Sequence, residues 1–204
     1  MPLVDKGRIL PNIRNRHPVA IELGCGNRKR DANAIGIDIR DFPCVDIIGD
    51  VVDVLKEIPD GEVDIVSSYH FLEHVADLDL LLGEVTRVMR VGGCFKVVAP
   101  HFSNPYYYSD PSHKNHFGLY TFSYHAHDRV FRRKVPHYNN NVFLSIEKVD
   151  LIFKSPPPFY FRHGVKRFIG VIFNSCRYMQ EFYEENLSFI FPCYEIEYLL
   201  KRVD

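Results

Sequence analysis

The sequence predicts an α/β domain built on a doubly wound, mostly parallel sheet, with a final antiparallel strand and an inserted segment ahead of it. Three observations carry this. Apolar runs of strand length recur at Val19-Ala20-Ile21, Ala34-Ile35-Gly36-Ile37, Val45-Asp46-Ile47-Ile48, Glu62-Val63-Asp64-Ile65-Val66-Ser67-Ser68 and Cys94-Phe95-Lys96-Val97-Val98-Ala99-Pro100. Patterns of helical period separate the later runs, and such alternation gives parallel strands with helices on the sheet faces. The first run leads into Gly24-Cys25-Gly26, where two residues without Cβ let a ligand approach the carboxyl edge of a sheet.

Each element has a local reason. Residues 1–18 mix charges with Pro2, Pro11 and Pro18 and read as an irregular lead-in over the ligand-binding edge. Arg28 to Asn33 is too short for a crossover helix, so a loop or one helical turn is expected there. The second and third runs end in Asp38 and Asp50, at the edge where open sheets bind ligands. After Asp38, the loop Arg40-Asp41-Phe42-Pro43 carries a proline that prevents an immediate helix. Val51 to Ile58 has the spacing of a short amphipathic helix, stopped by Pro59-Asp60-Gly61. Asp77 can cap a helix with Leu78, Leu81, Leu82, Val85, Val88 and Met89 on one face, ended by Gly92-Gly93.

After Pro100 the pattern changes. His101 to Asn141 is rich in His, Tyr, Asn and Pro and follows neither period, as expected of a binding loop that carries an acceptor site. Val142 to Phe153 reads as a strand closed by Ser155-Pro156-Pro157-Pro158, and Glu195 to Val203 as the final antiparallel strand. Between them, Phe168 to Phe191 is rich in Phe, Tyr and Ile. Core packing on the sheet is the favoured reading, ahead of a homodimer surface or a segment touching lipid.

With 204 residues, the chain suits a single domain, 1–204, made of a lead-in (1–18), a first half (19–100), the insertion (101–141) and a C-terminal part (142–204). Its 25 basic and 26 acidic side chains leave a net charge of −1, which argues against nucleic acid as a partner. The run Arg129 to Lys134 is read as a solvated face. Five cysteines with no C-x-x-C pair imply a reducing compartment. Met1 to Ala20 lacks the apolar core of a signal peptide, and no apolar run approaches the ~18–20 residues of a transmembrane segment, so a cytoplasmic protein is expected.

Seven of the ten histidines, at 70, 74, 101, 113, 116, 125 and 127, fall between residues 70 and 127. Imidazole accepts a proton near neutral pH, so a general base is expected among them. His113-x-x-His116 and His125-x-His127 lack a cysteine partner and zinc spacing, so no metal is expected.

The ordered set Glu22-Leu23-Gly24-Cys25-Gly26, Leu72-Glu73-His74-Val75 and Arg87-Val88 leading to Gly92-Gly93 resembles the class I S-adenosylmethionine-dependent methyltransferases. The nearest group reads E-x-G-C-G, then L-E-H-V, then an R-V run before G-G. The resemblance covers roughly residues 19–100 and departs at Asn27, where a third glycine is usual. It implies a Rossmann-like fold and S-adenosylmethionine as cofactor, leaving as S-adenosylhomocysteine. By the same resemblance Glu22 and the loop Gly24, Cys25 and Gly26 would hold its methionyl end, Cys25 as a structural residue. Asp38, beside Ile39, would take the ribose hydroxyls, Asp50 and Val51 would flank the adenine, and Tyr69 and His70 would lie near the methyl group. Glu73-His74 reads as readily as a cap or local ion pair as a catalytic pair.

Asp110-Pro111-Ser112-His113 resembles the D-P-[ST]-H stretch of group members from surface-glycan clusters. The expected reaction is O-methylation of a small polar acceptor such as a sugar, a nucleotide sugar or a phosphorylated intermediate. His113 is the expected base, oriented by Asp110, with His70, His101 and Tyr107 positioning the acceptor. A lipophilic acceptor such as a quinone precursor, and a regulatory cofactor-binding protein without catalysis, are the alternatives.

Overall fold

A computed structural model describes residues 3–126, 130–138 and 142–203. His127 and Arg129 therefore lie outside the described residues. Eight strands form one sheet: β1 Val4–Asp5, β2 Ala20–Leu23, β3 Ile35–Asp38, β4 Ile47–Ile48, β5 Val63–Tyr69, β6 Met89–Pro100, β7 Leu144–Ile152 and β8 Glu195–Arg202. Their order is β1-β4-β3-β2-β5-β6-β8-β7. Strands β2 to β6 run parallel, while β1 pairs antiparallel with β4, and β8 pairs antiparallel with both β6 and β7. This is the expected fold class, with two antiparallel neighbours after the insertion.

The central parallel strands are covered on both faces and so read as apolar runs. Ile21, Leu23, Ile37, Val66, Phe95 and Val97 form the centre of the core with Val54, Leu55, Leu81, Leu82 and Val85 from two helices. These helices are α1 Val51–Lys56 and α2 Leu78–Val88. Asp50 caps α1 by accepting from Val52 N and Asp53 N, and Asp77 caps α2 by accepting from Leu80 N.

Three expectations are corrected. Helix α2 ends at Val88, and Gly92-Gly93 sit inside β6; a Cβ on Gly93 would lie 2.8 Å from Arg90 O, so the glycine serves close strand packing and is no helix stop. Residues 1–18 are not an irregular cover, since Val4 and Asp5 pair with Ile48 and Ile47 and Leu10–Asn15 forms a 3₁₀ helix with Ile13 buried. Arg28 to Asn33 contains turns and no helix, in agreement with the loop expected from the short spacing.

The third concerns Phe168 to Phe191, which does not pack mainly into the core. It belongs to two helices, α3 Tyr160–Phe173 and α4 Arg177–Asn186. Tyr183 is fully buried, but Phe168 is 67% and Val171 72% exposed, and Phe189 and Ile190 also face solvent. The inward face of α3 is carried instead by Gly170, Ile169 and Phe173, packed toward Phe153.

The insertion after β6 has no element longer than the 3₁₀ turns Tyr107–Ser109 and Thr121–Tyr124 among its described residues. It is nonetheless fastened. Phe117, Leu119 and Phe122 are buried, and the fully buried Tyr198 of β8 donates its hydroxyl to Gly118 O at 2.6 Å. Because Thr121 N also donates to that carbonyl, Tyr198→Phe leaves it partly satisfied. A loss of about 1 kcal/mol in unfolding free energy is expected from denaturant titration.

Candidate active site

The carboxyl ends of β2, β3, β4 and β5 surround a cavity of about 510 Å³, lined by Gly24, Gly26, Asn27, Asp38, Ile39, Arg40, Phe42, Gly49, Asp50, Val51, His70, Phe71, His74 and Ser112. Its size is that of an ordinary small-molecule site. Gly24 and Gly26 have φ of 61° and 59°, a conformation that L side chains resist. A Cβ on Gly24 would collide with the Phe71 ring, whereas one on Gly26 would meet nothing within 4 Å and would stand in open space. The two glycines thus do different work: one lets Phe71 close the floor, the other leaves backbone bare at the cavity.

Carboxylates hold this loop. Asp38 accepts from Gly26 N and from Arg40 N, each at 2.8 Å through a different oxygen. A carboxylate has about four acceptor sites, so both oxygens keep capacity for ligand hydroxyls at the cavity. Asp46 accepts from Gly36 N and Lys29 Nζ, fastening the loop from below. Asp50 lines the cavity while capping α1. The residues present fit the cofactor: bare glycine backbone, one acid at the end of β3 and a helix N-terminus share one cavity.

Glu22, Cys25 and Tyr69 are not brought to it. Glu22 is buried and accepts from Arg30 N and Asp31 N, so its carboxylate holds the 28–31 loop where a contact with the methionyl end was expected. Burial raises its pKa, and those two amides oppose the rise. Cys25 turns into a small cluster with Val45 and Ile48, and burial, with Cys44 beside it, pushes the thiol up to about 12. It is a packing residue. Tyr69 lies beneath the Arg30 guanidinium, 5.7 Å from its ring centroid, and is absent from the cavity wall.

His70 does reach the cavity, and its backbone is strained to do so, with φ 53°. Its Nε2 lies 2.9 Å from Glu195 Oε1 and its Nδ1 3.4 Å from Glu73 Oε1. These two carboxylates, Glu195 first, raise its pKa to about 9 against the opposing effect of burial. Glu195 is itself subject to burial, which raises its pKa, but hydrogen bonds from His70 and Lys154 bring the balance below the ordinary value. His70 is therefore a cation at neutral pH and cannot serve as a base.

The remaining catalytic expectations divide. His101 is 0% exposed and bonded to Ser103 Oγ and Glu184 Oε2, away from the cavity. Tyr107 is also buried, with its hydroxyl donated to Asn115 O and its ring under His113 and His116. Neither can touch an acceptor, since each belongs to the support of the insertion. His113 sits one residue beyond the cavity-lining Ser112 and packs on His74, ring centroids 4.9 Å apart. Its Nδ1 faces Tyr107 O at 2.8 Å and its Nε2 is 3.8 Å from Asp110 Oδ2.

Sequence reasoning missed Phe71, Ser112 and Glu195, and left His74 undecided. The signal for His74 was its place in L-E-H-V; for Glu195 there was none, because its partner His70 lies 125 residues away.

Residues 21–97 match the model of the methyltransferase domain family. Over that stretch the chain is similar to the methyltransferase domain family. No curated protein matches it. Among solved structures it is similar to a SAM-dependent methyltransferase from Archaeoglobus fulgidus, at 18% identity and a TM-score of 0.58 over 96% of this chain and 90% of that one. It is also similar to an S-adenosylmethionine-dependent methyltransferase from Mesorhizobium loti, at 15% identity and TM-score 0.53 over 94% and 96%. A third likeness is to geranyl diphosphate C-methyltransferase from Streptomyces coelicolor, at 14% identity and TM-score 0.52 over 96% and 77%. At these identities the structures establish the shared fold.

The His70 charge has a stability consequence with a definite sign. A pKa raised from 6.5 to about 9 in the folded state contributes stability fully below 6.5 and loses it as pH rises through 9. In His70→Asn, where asparagine tolerates positive φ, the deficit against wild type should be largest near pH 6 and shrink toward pH 9.5. Urea midpoints across that range measure it, and a constant difference would contradict the assignment.

Proposed function

We propose that the chain transfers a methyl group to oxygen on a small polar acceptor: a sugar, a nucleotide sugar or a phosphorylated intermediate of surface-glycan assembly. The observation that carries the reading is the meeting, at one cavity, of the glycine loop with an acceptor-side wall of His74 and Ser112, backed by His113. The resemblance of Asp110-Pro111-Ser112-His113 to glycan-cluster members supports the substrate class.

When bound, S-adenosylmethionine supplies an electrophilic methyl group on sulfur. The protein's work is to align the acceptor oxygen with it and to remove the hydroxyl proton. Asp38 takes the ribose hydroxyls, the bare backbone at Gly24 and Gly26 faces the methionyl portion, and Asp50 and Val51 bound the adenine. Phe71 excludes water from the floor. With His70 already charged, removal of the proton falls to the pair His74 and His113, of which His113 is the assigned base. Its Nδ1 faces a carbonyl and so carries hydrogen, which leaves Nε2 as the accepting nitrogen.

Calorimetry and turnover test this together. S-adenosylhomocysteine should bind the wild type, and Asp38→Ala should weaken it by about 1.5–3 kcal/mol, the loss of hydrogen bonds to a charged group. His113→Ala should leave that affinity nearly unchanged while lowering turnover on a sugar-nucleotide panel by roughly 10²–10⁴. An absence of binding by the wild type would overturn the cofactor assignment; turnover surviving within a few-fold would remove His113 from its role.

A second reading, a lipophilic or lipid-borne acceptor, is favoured by helix α3. Phe161, Val165, Phe168 and Ile172 form an exposed stripe at i, i+4, i+7 and i+11, with Phe161 88% exposed. At 100° per residue Arg162 and Arg167 flank it, and no acid occurs between Asp150 and Glu181. Such a helix suits an anionic membrane surface, and no described helix is long and apolar enough to cross a membrane. Two acid-free basic faces repel, which disfavours the homodimer through this segment. The Streptomyces likeness, with its geranyl diphosphate, is compatible with an apolar acceptor on this fold. Sedimentation with phosphatidylglycerol vesicles should retain the wild type and release Phe161→Ser/Phe168→Ser; equal recovery in the supernatant for both proteins would discard this reading.

A further inference from the structure

We infer that Glu73, His74 and His113 form a binding site for a divalent transition-metal ion of the zinc type at the rim of the cofactor cavity. The inference deepens the proposed function, and rests on it only for the ion's role in turnover. Each of the three residues offers a ligand atom, and the three atoms lie within 4.8 Å of one another. They come from two segments, the turn after β5 and the insertion, which Lys114 N and Asn115 N fasten together by donating to Glu73 O at 2.6 and 3.1 Å. The spacing of His113 with His116, which argued against a metal in sequence, is not the set that the fold assembles among the described residues.

A second, independent observation is the state of Glu73. The residue is 1% exposed, and its Oε2 has no hydrogen-bond partner, while Oε1 is occupied by His70. A carboxylate oxygen buried without a donor is costly to keep, and a bound cation removes that cost. Hydrogen bonds on the two imidazoles point the same way. His113 Nδ1 must donate, because its partner is the carbonyl of Tyr107. His74 Nδ1 lies 2.9 Å from Ser112 Oγ, whose own hydroxyl donates to Asp110 Oδ1 at 2.5 Å, so that oxygen accepts from His74. Both rings are thereby left with the Nε2 lone pair as ligand, each oriented by a carbonyl or a hydroxyl–carboxylate relay, the outer-shell arrangement of metal-binding histidines.

Two imidazoles and one carboxylate are the donors of zinc and related ions with open positions, and are a poor set for calcium or magnesium, which take oxygen. The open positions adjoin the cavity, since His74 and Ser112 line it. An acceptor hydroxyl coordinated there through its oxygen has its O–H bond weakened. The proton would leave to solvent water, both electrons of that bond would stay on the oxygen that bonds to the methyl carbon, and the methyl–sulfur bond would break with its electrons kept by the departing S-adenosylhomocysteine. On this reading His113 promotes loss of the acceptor proton through the ion it helps to hold.

The test uses the full chain, stripped with a chelator and dialysed, with Co²⁺ and then Zn²⁺ as the probes and neither cofactor nor acceptor present. One equivalent of Co²⁺ should bind with visible d–d bands and without thiolate charge-transfer bands, and Zn²⁺ should displace it. Glu73→Gln and His113→Ala should each weaken binding at least 10-fold, while His116→Ala, in the same loop but outside the cluster, should not. Retained S-adenosylhomocysteine binding shows that the variants are folded, and His113→Ala serves if Glu73→Gln is not. No binding at one equivalent, or undiminished binding in His113→Ala, overturns the site. Metal binding without methyl transfer to any acceptor supports the site and counts against the proposed function. Full turnover by metal-free protein in chelator does the reverse.

Discussion

One carbonyl oxygen carries much of this architecture. Glu73 O accepts from Lys114 N and Asn115 N, and the Asn115 side chain donates to Leu72 O and Val75 O on either side of it. A segment with no regular ladder of its own must send its backbone groups somewhere, and here the amides of Lys114 and Asn115 go to the turn after β5. That clasp adds to the direct contacts of Ser112 and His113 with His74 in holding them beside the cavity. The acceptor side of the site is in effect an extension of β5's turn, and Tyr198, Leu119 and Glu184 fasten its far end to the sheet and to α4.

The cofactor side is built by a different device. Its loop contains too few residues for a crossover helix, so carboxylates take over the job of ordering backbone amides: Glu22 for Arg30 and Asp31, Asp38 for Gly26 and Arg40, Asp46 for Gly36. Hydrogen bonds to ionised acceptors are roughly twice as strong as neutral ones. Short span and acid-rich strand ends are thus two sides of one solution.

This explains what could be read from the chain beforehand. The parallel strands, α1, α2 and the final antiparallel strand were legible because each follows a local period, and the cavity residues Gly24, Gly26, Asp38 and Asp50 because they stand at strand ends. Glu22 was misassigned for an instructive reason: at a strand end an acid can point to a ligand or fold back onto its own loop, and spacing does not distinguish these. His101 and Tyr107 share that ambiguity, since a histidine-rich insertion must support itself as well as act. In α3, apolar residues occupy both an inward face and the stripe of Phe161, Val165, Phe168 and Ile172, so composition alone suggested core. The meeting of Glu73-His74 with His113 was invisible because the two segments lie about forty residues apart and are joined only in the fold.

Charge at the rim follows a single line across the sheet. Lys154, just after β7, contacts both oxygens of Glu195 at the start of β8; Glu195 contacts His70 after β5; His70 contacts Glu73. Cation and anion alternate from the antiparallel edge to the cavity, so each carboxylate that would suffer from burial has a partner, except for the second oxygen of Glu73. The alternation favours the charged form of His70, which lines the cavity together with His74. The line therefore separates two settings that composition had merged: His70 is held between two carboxylates at the rim, while the imidazoles of His74 and His113 lie beyond Glu73 and are held by hydrogen bonds at Nδ1.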